Sequence, residues 1–316
     1  GKTPEQALIY ARKCLVEIEA TPRESWLRPM SKLARFIYTR SYEPDMDINL
    51  DKLEELRALS KDHLLLFLWS HKSHMDSFVF LLSLYQNHFR PLPLIFAGIN
   101  MNFLGFGALA RRVGAIFLRR TFQEDPIYKL SPPKLGLLNW VVESCQRQQT
   151  QKVLLVPVSI AFDRIAEIDD YVALQSGLPK RKESLRWFFN YIFGMRQPYG
   201  KVYVRYGEPL ALELPPASAS GAAIASLDVT RMAFEVCTRI EQITPIKSAD
   251  VLAMVLLGAN KRALTAAEMY RQSAGIAELI RERRLPASSG FSLDNEAQVS
   301  AAVLALEKSG LVKCFD

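Results

Sequence analysis

The stretch FLWSHKSHMDSFVF, residues 67 to 80, groups the side chains best suited to catalysis: His71, His74 and Asp76. A histidine five residues before an aspartate, across a turn, can have one ring nitrogen held by the carboxylate. The other nitrogen can then take a proton from a reactant, as a general base does. Two other interpretations use the same residues. In one, His71, His74 and Asp76 are metal ligands; in the other, His71 and Asp76 are ordinary turn and helix-capping residues.

The elements around this cluster would place it at the edge of a sheet. The run LLLFLW predicts a buried strand and the run MDSFVFLLSLYQ predicts a helix, so Ser70 to Asp76 would form the turn between them. Ligands of open α/β sheets bind at such carboxyl ends of strands. Further apolar runs up to Pro209, namely PLIFAG, GAIFL, VLLVPV and KVYVRY, are separated by helix-length segments. The sequence therefore predicts an α/β fold: a mixed, largely parallel sheet covered by helices, with helical segments at both ends of the chain.

Helical periodicity marks both ends of the chain. In residues 4–20 the apolar side chains share one helical face that we expect to be buried; they are Leu8, Ala11, Leu15 and Ile18. After the linker ELPPASASGAAIAS a second apolar face is made by Val229, Met232, Ala233, Val236 and Ile240, and a helical unit is predicted to begin near Leu227. We predict an N-terminal helical segment at 1–60, an α/β core at 61–215 and a C-terminal helical region at 216–316.

Charge and composition narrow the possible partners. The 316 residues include 40 Lys and Arg against 33 Asp and Glu, a net charge of +7 without the basic blocks typical of nucleic-acid-binding arms. Phosphates, coenzymes and anionic lipid are therefore expected partners, and nucleic acid is not. The four cysteines are far apart, so we expect reduced thiols rather than a disulfide or zinc framework. The chain opens with GKTPEQ and no initiator Met, so we expect it to be part of a longer protein.

Two segments have a composition that suits a membrane surface. PLPLIFAGINMNFLGFGALARR, residues 91–112, is apolar and aromatic, and it would either enter the headgroup region or form an ordinary buried strand and helix. WLRPMSKLARFIYTR, residues 26–40, interleaves basic and aromatic residues, which predicts an amphipathic surface helix. No apolar window is long enough for a transmembrane helix. We expect peripheral or monotopic attachment to the cytoplasmic side of the cell membrane.

Three motifs in chain order give the chain a family resemblance. SHKSHMDSF resembles the first motif, His-x-x-x-x-Asp, of the glycerol-3-phosphate acyltransferase superfamily; GAIFLRRTF resembles the second and LLVPVSIAFDRIAE the fourth. The pieces SHMD, AGINMNF, RRTF and PPKLG are most similar to the bacterial membrane-associated glycerol-3-phosphate 1-O-acyltransferases. The resemblance covers roughly residues 60 to 215.

The resemblance implies a reaction and assigns residues to it. His71 would take the proton from a glycerol hydroxyl as the oxygen attacks a thioester carbonyl, and Asp76 would hold His71 in place. Arg119 and Arg120 would bind the substrate phosphate, because the planar guanidinium matches phosphate oxygens bidentately. The alternative interpretation of Arg119 and Arg120 is a solvated surface pair.

Three further residues are implied to bind substrate: Ser73, Lys72 and Pro157. Lys72 stands where the family usually has arginine. The positive charge is kept, but the planar guanidinium that could bind phosphate bidentately is lost. Pro157 lies inside an apolar run, where it would cost a ladder hydrogen bond unless the strand ends or bulges there.

The implied substrates are glycerol 3-phosphate, acylated at its sn-1 hydroxyl, and acyl-CoA or acyl-acyl carrier protein as co-substrate, with no cofactor and no metal. Acylation of lysophosphatidate or dihydroxyacetone phosphate, a catalytically silent membrane scaffold and a metallohydrolase are the alternatives. The family's third motif, Glu-Gly-x-x-Arg, is missing where RRTFQEDPIYKL joins SPPKLG at Leu130 and Ser131. Either the natural protein lacks this element or a segment of it is omitted from this sequence at the junction; we favour omission, because both flanks keep their family character, and a true absence would put catalysis in doubt.

Overall fold

The computed structural model of the chain describes residues 3–98, 105–118, 138, 141, 144, 145, 152–177, 191, 194, 198–212, 229–260, 262–308 and 310–315. The chain divides into two compact units, each assembled from three segments. Unit 1 comprises Gly1–Pro44, Ser73–Leu130 and Ala166–Gln197, and unit 2 comprises Asp45–Lys72, Ser131–Ile165 and Pro198–Asp316. Spatial proximity defines these units, and the domain limits drawn along the sequence stay a prediction.

The described residues form seven strands and ten helices. The strands are β1 (Asp47–Ile48), β2 (Leu64–Trp69), β3 (Ile95–Gly98), β4 (Ala115–Leu118), β5 (Val153–Phe162), β6 (Val202–Tyr206) and β7 (Leu210–Leu212). The helices are α1 (Pro4–Ile18), α2 (Glu24–Tyr38), α3 (Leu50–Leu59), α4 (Asp76–Gln86), α5 (Phe106–Arg112), α6 (Ile168–Gln175), α7 (Val229–Ile243), α8 (Ser248–Gly258), α9 (Ala266–Glu282) and α10 (Glu296–Lys308). All five apolar runs predicted to be strands are strands. The expectation that LLLFLW is buried was wrong: Leu64 is 44% exposed and the rest of β2 is only partly buried, because β2 lies at the end of its sheet.

Unit 2 is built on a five-stranded sheet. Its strand order is β1-β6-β5-β2, and β7 also pairs with β5. The β2–β5 and β1–β6 pairs are parallel, whereas β6 and β7 both run antiparallel to β5. Together with the parallel β3–β4 pair of unit 1, this confirms the prediction of an α/β fold with a mixed, largely parallel sheet.

Pro157 is accommodated in the middle of β5 without ending the strand. It is buried and lies in register with Leu68 of β2. Its carbonyl oxygen accepts a hydrogen bond from the backbone N–H of Gly207 at 2.8 Å, and in an extended strand the N–H and C=O of one residue point to the same edge. On that edge β6 ends at Tyr206 and β7 begins at Leu210, so the missing N–H of Pro157 faces the junction between two strands rather than a ladder bond.

The irregularity lies not in β5 itself but in the segment that pairs with it here, from Tyr206 to Leu210. Val158 pairs with Tyr206 and Leu155 with Leu210, so three residues of the partner segment face two residues of β5. Such an extra residue is a β-bulge. Gly207 is part of it, and a Cβ there would lie 3.3 Å from the Pro157 carbonyl oxygen, so the glycine permits the close approach.

The strand β1 is anchored by one carboxylate. The guanidinium of Arg205 lies 2.8 Å from Asp47 Oδ1, and the backbone N–H of Ser289 donates to Asp47 Oδ2 at 3.2 Å. Burial raises the pKa of the Asp47 carboxyl, but the hydrogen bonds from Ser289 and the charge of Arg205 outweigh burial and lower its pKa below the ordinary value. Asp47 therefore ties the sheet edge to the segment between α9 and α10.

Helices of the C-terminal region form two cores within unit 2. The predicted apolar face of α7 is confirmed: Ala233, Val236 and Ile240 are buried, and the last two pack with Val153 and Leu155 of β5. The helix thus covers one face of the sheet. α8, α9 and α10 pack on one another around a second cluster, which contains Val251, Leu252, Met269, Ala277, Ile280, Leu293, Val299 and Leu306.

Unit 1 joins N-terminal helices to the segment after Lys72. α1 begins with a capping box in which Thr3 and Gln6 exchange hydrogen bonds, and Pro4 follows Thr3 as the first helical residue. α2 packs against α4, and α1 against β4. The guanidinium of Arg112 lies over the Trp26 ring at 4.9 Å, which ties α2 to the end of α5.

The helix predicted near the amino terminus is present, but the expectation of a buried face was wrong. Leu8 and Leu15 are 54% and 58% exposed, and Ala11 is exposed as well. The periodic pattern identifies a helix, but it does not say whether a partner covers the apolar side within the same unit. The side chain of Ile18 lies outside the described residues.

No helix in the described ranges combines the length and the apolar character needed to cross a bilayer. The segment 91–112 contains the strand β3 and the helix α5, and residues 99–104 between them lie outside the described part. Leu94 and Phe96 are 52% and 44% exposed.

Candidate functional site

The segment that carries His71 and Asp76 connects a strand to a helix, as predicted. β2 ends at Trp69 and α4 begins at Asp76. Because β2 runs parallel to β5 in full register, the segment leaves the sheet at a carboxyl end, the edge at which α/β proteins bind ligands. His71 and Lys72 belong to unit 2, whereas Ser73 to Asp76 belong to unit 1.

Asp76 is fully buried and holds the turn that precedes its helix. Its Oδ2 accepts a hydrogen bond from the backbone N–H of Ser73 at 3.0 Å, and its own N–H donates to the Ser73 carbonyl at 3.1 Å. This is a contact that the turn-and-capping interpretation of Asp76 expects. Its proposed action on the imidazole of His71 stays a prediction.

Ser73 is hydrogen-bonded through its side chain to two parts of unit 1. It is 3% exposed, its hydroxyl donates to both carboxylate oxygens of Glu167 at 3.1 and 3.0 Å, and its Oγ accepts the N–H of Met75 at 3.1 Å. The Ser73 hydroxyl thus makes its hydrogen bonds to Glu167 and Met75, which both belong to unit 1. The substrate-binding role predicted for Ser73 stays a prediction.

Glu167 is the centre of these contacts. The carboxylate is 7% exposed and lies between the end of β5 and the start of α6. In addition to Ser73 it accepts the backbone N–H of His74 at 2.8 Å and the hydroxyl of Tyr191 at 3.0 Å. A buried carboxylate is costly unless donors surround it, and here three donor groups do so.

Burial and the negative charge of this cluster raise the pKa of two tyrosines. Burial raises the pKa of Tyr191 far above its usual range, and the charge of Glu167 raises it further. The pKa of Tyr171 is also raised, first by burial and then by the charges of Glu167 and Asp76. Both phenols therefore remain protonated at neutral pH, and Tyr191 stays a hydrogen-bond donor.

His74 takes part in this cluster through its backbone and its ring. The imidazole meets the Tyr191 ring edge to face, with centroids 5.9 Å apart. Within the described residues, no group of three or more His, Cys, Asp or Glu side chains is arranged to hold a metal ion. The interpretation of His71, His74 and Asp76 as metal ligands gains no support from this part of the chain.

The other predicted site residues of unit 2 lie around the end of β2. His71 is exposed, and Lys72 Nζ lies 4.0 Å from an oxygen of Glu241 on α7, with both side chains at least half exposed. An exposed ion pair at this distance contributes little to stability. Pro157 lies on the same face of β5 as Leu155 and Ser159, the face that α7 covers.

Arg119 and Arg120 lie outside the described residues, as does the junction of Leu130 and Ser131. β4 ends at Leu118, so the two arginines follow a strand directly in the sequence, as predicted.

Glu167 and Tyr191 were not predicted as site residues. Glu167 ends the quoted fourth motif, but the atoms it binds belong to residues 93 and 94 positions away in the chain. The available signal was an acidic residue close to the end of a buried strand, where carboxylates are rare unless paired.

Two family models match the chain. One, described as "Acyltransferase", matches residues 47–129, and the other, described as "Glycerol-3-phosphate acyltransferase C-terminal region", matches residues 171–316. The first model includes the turn from His71 to Asp76.

The curated relatives that this chain matches are also named as acyltransferases. "Putative acyltransferase plsB1" of Mycobacterium tuberculosis and of Mycobacterium bovis is 27% identical over 100% of this chain and 55% of the relative. "Glycerol-3-phosphate acyltransferase" of Pseudoalteromonas translucida is 26% identical over 84% of this chain and 38% of the relative. The chain thus spans about half the length of the mycobacterial relatives and a smaller share of the Pseudoalteromonas one. The mycobacterial alignment has 348 positions against 316 residues here, so it includes 32 positions without a counterpart in this chain.

Proposed function

Because the chain belongs to the glycerol-3-phosphate acyltransferase superfamily, we propose that it transfers a fatty acyl group from a thioester donor to the sn-1 hydroxyl of glycerol 3-phosphate. The product is lysophosphatidate, and the donor is acyl-CoA or acyl-acyl carrier protein. The reaction needs no cofactor. The observation that carries the proposal is the match to both family models. The acyltransferase match comes first along the chain and the match to the C-terminal region follows it.

In the proposed mechanism His71 is the general base. The ring nitrogen that Asp76 does not hold takes the proton of the glycerol hydroxyl while the hydroxyl oxygen forms a bond to the thioester carbonyl carbon. When the carbon–sulfur bond breaks, the imidazolium returns the proton to the departing sulfur, so no acyl-enzyme forms. Asp76 selects the tautomer of His71 and stabilises the imidazolium.

Cationic residues bind the acceptor in this proposal. Arg119 and Arg120 hold the phosphate, and Lys72 adds a positive charge at the end of β2. The exposure of the Lys72 side chain supports this role, because an exposed ammonium lies within reach of an anion in solution. Ser73 and Pro157 complete the substrate-binding set given by the family resemblance.

Acceptor trials on the purified chain test the function. Each of glycerol 3-phosphate, lysophosphatidate and dihydroxyacetone phosphate is offered with acyl-CoA or acyl-acyl carrier protein, and the position of the new ester is read from the product. We expect turnover of glycerol 3-phosphate and a 1-acyl product. Turnover of lysophosphatidate alone would overturn the acceptor assignment, and no turnover of any acceptor would favour a silent scaffold.

His71→Ala is the variant that tests the mechanism. It should abolish transfer and leave acceptor binding nearly intact, because a base acts mainly in the transition state. His74→Ala is the matched control, since His74 carries no catalytic role in the proposal. Retention of more than a few per cent of activity by His71→Ala would remove His71 from the base role.

We also propose attachment to the cytoplasmic face of the cell membrane through α2. Leu33 and Phe36 are 42% and 57% exposed on this helix, and the exposed Arg28, Lys32 and Arg35 lie among them. Apolar side chains beside basic ones suit a surface of anionic lipid. Sedimentation with vesicles should show binding to anionic but not to neutral lipid, and Phe36→Ser should weaken it. Equal binding to both lipids would contradict the charge argument.

A further inference from the structure

We infer that Glu167 is a positioning residue that fixes the turn from Ser73 to Asp76 and thereby the carboxylate of Asp76. The inference rests on the proposed function, in which Asp76 orients the base. Every contact it uses lies within unit 1.

Glu167 joins two distant parts of the chain at one point. Its carboxylate accepts the His74 N–H at 2.8 Å and the Ser73 hydroxyl at 3.0 and 3.1 Å. The backbone N–H of residue 74 and the side chain of residue 73 are thus held by the same buried group. Hydrogen bonds to a carboxylate are shorter and stronger than neutral ones, so this group fixes the turn more firmly than a hydroxyl or an amide would.

Ser73 transmits the constraint to Asp76. The same residue that donates its hydroxyl to Glu167 donates its backbone N–H to Asp76 Oδ2 at 3.0 Å. Ser73 and Asp76 are 3% and 0% exposed, so water cannot readily replace either contact. A displacement of Ser73 therefore moves the donor that defines where one oxygen of Asp76 lies.

Tyr191 holds Glu167 from the other side. Its hydroxyl donates to Glu167 Oε1 at 3.0 Å, and its ring packs edge to face on His74. Tyr191→Phe would remove the donor and keep the ring, which makes it a mild version of the same perturbation.

The test compares Glu167→Ala, Glu167→Gln and Tyr191→Phe with the wild-type chain. Glutamine keeps a carbonyl that can accept the His74 N–H, and its amide can donate to the Ser73 oxygen, so Glu167→Gln should restore most of what Glu167→Ala loses. For Glu167→Ala, kcat should fall on the order of 10- to 100-fold, since displacements of about 1 Å cost up to about 100-fold. The KM values of both substrates should change little, and Tyr191→Phe should show a smaller fall in kcat.

The pH profile separates positioning from simple loss of stability. If Asp76 is displaced in Glu167→Ala, the imidazolium of His71 loses support and the acid limb of kcat/KM moves to lower pH. Asp47→Asn is the control, because it removes a partly buried, ion-paired carboxylate of unit 2 that is bound by Arg205 and Ser289 rather than by residues of the turn. It should lower stability and leave kcat and the acid limb unchanged. A wild-type kcat and acid limb in Glu167→Ala would overturn the inference, as would a loss of activity in Asp47→Asn equal to that in Glu167→Ala.

Hydrogen exchange provides a measurement that does not depend on activity. The amides of His74, Met75 and Asp76 should exchange faster in Glu167→Ala than in the wild-type chain, and at near wild-type rates in Glu167→Gln. If the wild-type chain transfers no acyl group, the proposed function fails while faster exchange still supports the hold of Glu167 on the turn. Unchanged exchange in Glu167→Ala overturns the inference whatever the activity.

Discussion

Replacing Asp76 by Asn and by Ala separates its two possible roles, as a turn residue and as the partner of the base. In the structure Asp76 Oδ2 accepts the Ser73 N–H at 3.0 Å in a fully buried position. The side-chain carbonyl of Asn can accept the same hydrogen bond. Asp76→Asn should therefore change the free energy of unfolding by less than about 1 kcal/mol.

Ala leaves the Ser73 N–H buried without this acceptor, which costs about 1 to 3 kcal/mol of folding free energy. In contrast, both variants should lower turnover strongly. In a serine protease triad, the corresponding change from Asp to Asn costs about 10⁴-fold in kcat because the amide selects the wrong imidazole tautomer. That factor corresponds to roughly 5.5 kcal/mol of activation free energy, far above the expected loss of stability.

The assay measures initial rates with saturating donor and acceptor, together with urea unfolding of the same preparations. Ser83→Ala serves as control, because Ser83 is buried in the same helix and donates to the Phe80 carbonyl at 2.7 Å. It should lower stability without lowering the rate. If Asp76→Asn keeps its rate within tenfold of wild type, Asp76 is a turn residue only and the reasoning about the base is refuted.

Further predictions concern the acceptor, the sheet edge and the bulge. Arg119→Ala or Arg120→Ala should raise the acceptor KM about ten- to hundred-fold, from about 1.5 to 3 kcal/mol for a lost charge-assisted contact. Lys at either position should rescue only partly, and an effect on the donor KM alone would contradict the phosphate assignment. Because the folded pKa of Asp47 is lowered, its stabilisation is complete above the unfolded pKa and is lost as pH falls through the folded value. Asp47→Asn should thus cost about 1 to 2 kcal/mol at pH 7 and little at acid pH in denaturant titrations, whereas the exposed Asp45→Asn should cost nothing at either pH. Gly207→Val should destabilise by about 1 to 3 kcal/mol in the same titration, because its side chain would crowd the β5 backbone; an unchanged midpoint would show that the bulge can adjust.

The fold was predictable where the signal is local. Five apolar runs correspond to five strands, and the buried face of α7 follows correctly from Val236 and Ile240, because an apolar run and a helical period are both visible within a single element. The same reasoning fails for α1, because the same period describes a helix with Leu8 and Leu15 exposed. Whether a face is covered depends on other parts of the chain, and periodicity carries no information on them.

The site was predictable only as far as motifs reach. The sequence predicts Asp76 at a strand-to-helix turn, and the structure has it there. The contacts of Glu167 with Ser73 and His74 were not predictable, because hydrogen bonds across more than 90 residues leave no spacing to recognise. A break in regular strand pairing was expected within β5, the strand of Pro157, but the extra residue lies in the neighbouring segment. The sequence could not show this, because only the register of the paired strands identifies which one carries the extra residue.

The register of the sheet has a consequence for biosynthesis. Asp47 of β1 pairs with Tyr203, which is 156 residues later in the chain, and Leu64 of β2 pairs with Val153, which is 89 residues later. At about 5 to 20 residues per second, a ribosome needs roughly 8 to 31 seconds to supply the partner of β1. During that time β1 and β2 lack β6 and β5, the strands with which they pair in the sheet, and strands without their partners invite pairing with other chains. We therefore expect ribosome-bound fragments that end before Tyr206 to need chaperone protection that the completed sheet does not.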